Sequence, residues 1–252
     1  MYQKYTGVIL KKHPLGEADE LLTIYTKEAG KLRVRAVSSR KIQSRLGGNL
    51  QSLNEVEFET AGSANRRFFP LGRDGLPVLI SVRARTINNY LRENLKKFAY
   101  SLIGIETLYR LTPDQEQNAE AYEMLLEFLR NLGDSREEKF PLRSFQLRLL
   151  RLSGFSFPLE QCLDCQRPLA AGTTSYFLSS KGGLICGTCV KAEEAGLPLT
   201  LLALEQLRTL SEGGKPLHLE FPVEQVIEGF LNYVLEREIK ASGFLKTLGQ
   251  ET

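Results

Sequence analysis

Histidine, methionine and tryptophan are almost missing from this sequence: it holds two histidines, two methionines and no tryptophan in 252 residues. His13 precedes a proline and His218 sits in PLHLEFP, neither beside a cysteine or serine motif, so Cys/His or Ser/His nucleophilic catalysis has little support. No HExxH, Walker A, GxSxG or GxGxxG pattern occurs. A non-enzyme is the expectation. The N-terminal MYQKYTGVILKKHPLG lacks the apolar core of a signal peptide, and no apolar run reaches membrane-spanning length. A cytoplasmic protein is expected, in a compartment where disulfides do not persist.

Cysteine is also scarce, and its placement is informative. The four cysteines fall as Cys162-x2-Cys165 and Cys186-x2-Cys189 with twenty residues between the pairs. That is the spacing of a tetrahedral all-cysteine zinc site, in which each pair grips one side of a single ion. Disulfides would need an oxidising compartment, and a redox CxxC would explain one pair, not two. The stretch YFLSSKGGLICGTCV reads as a strand, a Gly182-Gly183 turn and a second strand entering the second pair. A zinc-ribbon hairpin with one structural Zn2+ is expected. A closed site of this kind folds a module and leaves no coordination position for chemistry.

Charge is distributed unevenly. Residues 1 to 97 carry 18 Lys and Arg against 9 Asp and Glu, whereas residues 98 to 252 carry 15 against 21. No acid lies between Glu28 and Glu55, a stretch that holds Lys31, Arg33, Arg35, Arg40, Lys41 and Arg45. Charge runs are usually solvated surface. Here Leu32, Val34 and Ala36 alternate with Lys31, Arg33 and Arg35, so a strand would bury the first set and turn the cations outward in a row. That pattern suits a polyanion. The acids Glu17, Asp19 and Glu20 read as a solvated turn or a strand-entry cap.

Short β-rich segments run through the first eighty residues: Tyr2 to Lys11, Glu20 to Thr26, Lys31 to Val37, Asn54 to Thr60 and about Arg66 to Leu71. Five strands predict a small barrel, with an OB-fold first and an SH3-like barrel as the alternative. From Ile87 the period becomes helical, and Leu91, Leu95, Phe98, Leu102, Ile105 and Tyr109 predict one long helix. Thr112-Pro113-Asp114-Gln115 reads as the N-cap of the next, ended by Gly133. Further helices are expected at 141–152, 201–210 and 223–240. The expected fold is α+β and multidomain: an OB-fold over 1–80, a helical bundle over 81–156 and 197–252, and the zinc module inserted at 157–196.

These segments together resemble the RecO family of bacterial DNA-repair proteins. The resemblance is carried by Gly16-Glu17-x-Asp19, Thr26-x3-Gly30-Lys31-Leu32-Arg33 and Ser44-Arg45, and by SFQLRLLRLSGFSFPLEQCLDC before the first cysteine pair. It spans roughly residues 1 to 240. Where family members often carry a glycine after the third strand, Val37-Ser38-Ser39 stands here. The resemblance implies a DNA recombination mediator of the RecFOR pathway, active in DNA damage repair and associated with the nucleoid. Such a protein binds single- and double-stranded DNA, anneals complementary strands and acts with RecR. It helps load RecA onto DNA coated by single-strand-binding protein, whose C-terminal tail it meets. Arg33, Arg35, Arg40, Lys41 and Arg45 are then the expected phosphate contacts, with Lys31, Arg66 and Arg67 behind them. An RNA- or ribosome-associated barrel-plus-ribbon protein, a thiol-redox or zinc hydrolase enzyme and a purely structural scaffold are the rival readings.

Overall fold

The structure, a computed structural model, describes residues 2–41, 44, 46–61, 75–155, 159–169, 174–194, 196–214, 216 and 218–236. They cluster into two compact units, Met1–Phe98 with Thr112–Gly133, and Ala99–Leu111 with Asp134–Thr252.

In the first unit, strands β1 (Tyr2–Leu15), β2 (Asp19–Thr26), β3 (Gly30–Ala36), β4 (Glu55–Ala61) and β5 (Val78–Thr86) close a barrel in the order β1-β2-β3-β5-β4. All pairs are antiparallel except β3 with β5. This is the five-stranded OB arrangement. Strand alternation builds its core: Leu22, Ile24, Leu32, Val34, Ala36, Val56 and Phe58 point inward, and Tyr5 stacks on Phe58 at 5.4 Å. Each buried Leu, Ile, Val or Phe side chain contributes about 1.5–3 kcal/mol by leaving water, and Ala36 less. The intervening residues face outward, Lys31, Arg33 and Arg35 on β3 and Glu55, Glu57 and Glu59 on β4.

The fifth strand is Val78–Thr86. The segment expected to supply it, Arg66 to Leu71, lies outside the described residues. The single long helix expected from Ile87 is instead a short helix α1 (Asn89–Glu93) and a helix α2 (Leu95–Leu111), separated by an extended Asn94. Asn94 accepts from the Lys97 amide through its side chain at 3.0 Å. That local bond starts a new helix where apolar periodicity alone would continue the old one. Thr112 does not open the next helix either. Helix α3 (Ala119–Asp134) begins after Asn118, whose side chain accepts from Ala121 at 2.9 Å. Residues 112–118 are drawn off into contact with β3, since Asp114 bridges to Lys31 and the Gln115 amide donates to the Lys31 carbonyl at 3.0 Å. Gly30 permits this approach. Its φ is +63°, and a Cβ there would lie 1.9 Å from the Glu116 carbonyl oxygen.

The second unit contains helix α4 (Lys139–Leu152), a three-stranded sheet of β6 (Ser175–Leu178), β7 (Gly183–Cys186) and β8 (Leu197–Leu199), and helices α5 (Leu201–Ser211) and α6 (Phe221–Leu235). The expected continuation of α6 to Lys240 lies outside the described residues. Helices α4, α5 and α6 pack on one another, and Leu142, Phe145, Leu149, Leu204, Leu207, Val226 and Phe230 on them are buried. Buried polar groups are tied in: Arg143 donates to Gln146 at 3.0 Å and to Glu228 at 2.5 Å, and Gln146 donates to Thr107 at 3.2 Å. The β6–β7 hairpin lies on α6. A Cβ on Gly182 would meet the Tyr233 ring at 2.4 Å, and one on Gly229 would meet Phe177 at 2.8 Å. No helix among the described residues is long and apolar enough to cross a membrane.

Candidate nucleic-acid interface and metal centre

The three outward cations of β3 differ in their surroundings. Lys31 is buried, donating to the Thr112 carbonyl at 2.8 Å and pairing with Asp114 at 3.1 Å. Its ammonium is engaged inside the fold, so a phosphate reaches it only by displacing residues 112–114. Arg35 holds Asp19 with both Nε and Nη2, at 3.0 and 2.7 Å. Arg33 is about half exposed, with Asp114 at 3.6 Å across a solvent-open contact. Beyond the strand, Arg40 and Lys41 are exposed on the turn that follows. Arg45, Arg66 and Arg67 lie outside the described residues.

The turn carrying Arg40 and Lys41 is fastened to the turn between β1 and β2. Asp19 accepts from the Ser38 amide at 2.7 Å, the Arg40 amide donates to the Ala18 carbonyl at 3.0 Å, and the Arg40 guanidinium reaches the carbonyls of Gly16 and Glu17. The Ser38 amide, and next the Arg35 guanidinium, hold the Asp19 carboxyl below its ordinary value. Ser38 has φ +54°, a left-handed conformation that glycine adopts more readily. The bond from the Ser38 amide to Asp19 offsets the strain of that conformation. Charge and alternation alone did not reveal Asp19 as the buckle of this surface. The signal was the spacing Gly16-Glu17-x-Asp19, a carboxylate at the start of a strand after a turn. Thr26 does similar work at the other end of β2, accepting from Ala29 at 3.0 Å and donating to the Gly30 carbonyl at 2.9 Å.

The four cysteine sulfurs all lie within 4.8 Å of one another, with Cys162 and Cys186 buried and Cys165 and Cys189 half-buried. Cys165 Sγ and Cys186 Sγ are 3.8 Å apart. A tetrahedron of thiolates about 2.3 Å from zinc has edges of about 3.8 Å, so the donor set fits such an ion. Two tight turns present the sulfurs: the Gln166 amide donates to the Cys162 carbonyl at 2.9 Å, and the Cys189 amide to the Cys186 carbonyl at 3.0 Å. The Cys186 amide also points at Cys162 Sγ, 3.4 Å away. The thiols answer this crowding in opposite senses. Cys186 is drawn down to about 6, first by the Thr188 hydroxyl, while Cys189 is pushed up to about 12 as its hydrogen stays with Cys186 and Cys165. Only a cation lets all four sulfurs be thiolates together. Lys181 links the first turn to the segment after the second, pairing with Asp164 and Glu194, each at 3.1 Å.

A model of the recombination protein O N-terminal domain matches residues 1–68, and one of the recombination protein O C-terminal domain matches residues 92–242. The chain is 29% identical to the DNA repair protein RecO of Pelotomaculum thermopropionicum, over 98% of this chain and 94% of that protein. It is 28% identical to RecO of Anaeromyxobacter dehalogenans strain 2CP-C and 27% identical to RecO of Dehalococcoides mccartyi strain 195, in each case over 98% of this chain and 96% of the relative. With an OB barrel at the front, a four-cysteine cluster in a helical second unit, and both family domains matched in order, the chain belongs to the RecO family of DNA repair and recombination proteins.

Proposed function

We propose that this protein is a recombination mediator that binds single- and double-stranded DNA through the outer face of its barrel, anneals complementary strands, and acts with RecR to help load RecA onto DNA coated by single-strand-binding protein. The observation that carries the reading is the cationic end of β3, where Arg33, Arg40 and Lys41 stand on a rigid barrel and a buckled turn. Phosphate neutralisation by these side chains releases counterions and lowers the repulsion between two strands held nearby. Nothing in this mechanism breaks a covalent bond, and the protein acts by holding nucleic acid. Lys31 and Arg35 support the surface from within and are not assigned to phosphate.

One zinc ion held by Cys162, Cys165, Cys186 and Cys189 fastens the hairpin against α6 and takes no part in DNA chemistry. For the acidic, apolar-ended tail of single-strand-binding protein, a candidate receptor is a cleft of about 320 Å³ beside α4, α5 and α6, lined by Leu147, Leu150, Phe155 and Phe230, with Arg151 and Arg208 opposed by Glu160 and Glu212. Arg208 donates through Nη2 to the Leu159 carbonyl at 3.1 Å, and its buried Nε, which has no hydrogen-bond partner among the described residues, is a donor suited to a carboxylate. Of the other helical arginines, Arg110 is paired with Glu106 and Arg143 with Glu224 and Glu228.

Annealing of complementary oligonucleotides, with and without single-strand-binding protein, tests the proposal. Wild type is expected to anneal in both conditions. Binding without annealing, with equal affinity for RNA, would move the protein to an RNA-associated role.

A further inference from the structure

The direction in which nucleic acid crosses the barrel follows from strand register. Two cross-strand rows lie on the outer face. Lys11 of β1 pairs with Thr23 of β2, which pairs with Arg33 of β3; His13 pairs with Leu21, which pairs with Arg35. Paired residues on neighbouring strands share a face. The first row therefore places two long cations on either side of the short, buried Thr23, with backbones about 10 Å apart. His13, exposed at the end of the second row, adds a hydrogen-bonding ring near Leu21.

A β-bulge produces this arrangement. The register steps from Ile9 opposite Ile24 to Lys11 opposite Thr23, leaving Leu10 as the extra residue. A continuous ladder would set Leu10 against Thr23 and turn Lys11 inward, because a one-residue slip moves every later side chain to the other face. The bulge thus re-aims Lys11 and His13 to the side that carries Arg33. Toward the start of β3 this surface is closed, since Lys31 is buried against Thr112 and Asp114. The path along β3 is blocked while the path across β3, β2 and β1 is lined.

We infer that single-stranded nucleic acid runs across the barrel, from Arg33 and Arg40 over β2 to Lys11 and His13, and not along β3. This rests on the DNA-binding reading above and adds β1 to the binding surface. Lys4, on the same strand as Lys11, is excluded from the track because it pairs with Glu59 beside the acidic row of β4.

The test is binding of an oligothymidylate of about 20 nucleotides, longer than one barrel's site, measured by fluorescence anisotropy over a range of salt concentrations. Wild type, Lys11→Gln/His13→Ala, Arg33→Gln, Lys31→Met and Lys4→Gln are compared, each first shown to unfold cooperatively on heating. Each lost phosphate contact lowers the slope of log affinity against log salt by about 0.7. The β1 double variant and Arg33→Gln are each expected to bind severalfold more weakly with that reduction, and Lys31→Met and Lys4→Gln to keep the wild-type slope. A double variant that binds like wild type while Arg33→Gln and Lys31→Met both weaken would place the track along β3 and overturn the inference alone. No binding by wild type overturns this inference and the DNA-binding reading together.

Discussion

Strands β3 and β4 carry charge rows of opposite sign on the same barrel. Lys31, Arg33 and Arg35 alternate with core residues on one, and Glu55, Glu57 and Glu59 on the other. On β4 every glutamate meets a neighbour: Glu55 accepts from Tyr122 and Thr86, Glu57 lies 3.6 Å from Arg85, and Glu59 lies 3.1 Å from Lys4. On β3 the surroundings change along the strand, from buried Lys31 to Arg35 clamped on Asp19, with half-exposed Arg33 between them. A row of like charge is thus not one surface. Its outer members can serve the fold while a middle one faces solvent, and only neighbours from other segments decide which.

Several changes would sharpen or break this contrast. The largest effect is expected away from both rows. Cys162→Ser, or removal of metal by a chelator, should abolish zinc binding and unfold the hairpin, because a structural zinc site of this kind contributes on the order of 10 kcal/mol. Metal analysis and hydrogen exchange would detect this, while the salt dependence of DNA binding should persist if the barrel alone carries it. Next in size, Arg35→Ala leaves Asp19 without its guanidinium partner and should cost about 2 kcal/mol, read as a lower midpoint in urea. Because the folded state holds the Asp19 carboxyl below its ordinary value, its stabilisation is full above the ordinary carboxylate range and is lost as pH falls through the folded value. The gap between wild type and variant should therefore narrow in acid. A gap independent of pH would show that the Arg35 pair is not its source.

Smaller changes separate the strength of the turn from its charge. Ser38→Gly relieves a left-handed serine and should raise stability by about 0.5–1 kcal/mol without altering DNA affinity. Asp114→Asn removes the carboxylate that faces Arg33 and also pairs with buried Lys31; DNA binding should tighten about twofold, in keeping with about 0.5 kcal/mol for an exposed ion pair, and the lost Lys31 pair should lower the urea midpoint. Weaker binding by this variant would mean that Asp114 orients Arg33 and does not compete for it.

Much of this was legible in the amino-acid order. Alternation over Lys31 to Ala36 sufficed to put Leu32, Val34 and Ala36 inside, and the paired CxxC spacing brought four sulfurs together, because both patterns act over a few residues. The fate of Lys31 was not legible: its partners Thr112 and Asp114 come from about eighty positions later. The same distant pairing diverted Thr112-Pro113 from the helix start its sequence suggests. Asn94 and Asn118 did carry local capping signals, which the apolar period around them masked. Most of the N-terminal motif also proves to be structural. Asp19, Thr26, Gly30 and Lys31 fix turns and edges, and among the described cations of the motif Arg33 faces solvent.

The most direct test of the account reverses charge on the two faces. Arg33→Glu/Arg40→Glu/Lys41→Glu and Glu57→Lys/Glu59→Lys are compared with wild type for single-stranded DNA affinity across a salt series. The account predicts that the first variant loses at least tenfold in affinity, with a slope reduced by about 2 for three phosphate contacts, while the second binds as well as wild type or better. Equal losses from both reversals, or a wild-type slope in the first, would contradict a DNA surface at the cationic end of β3.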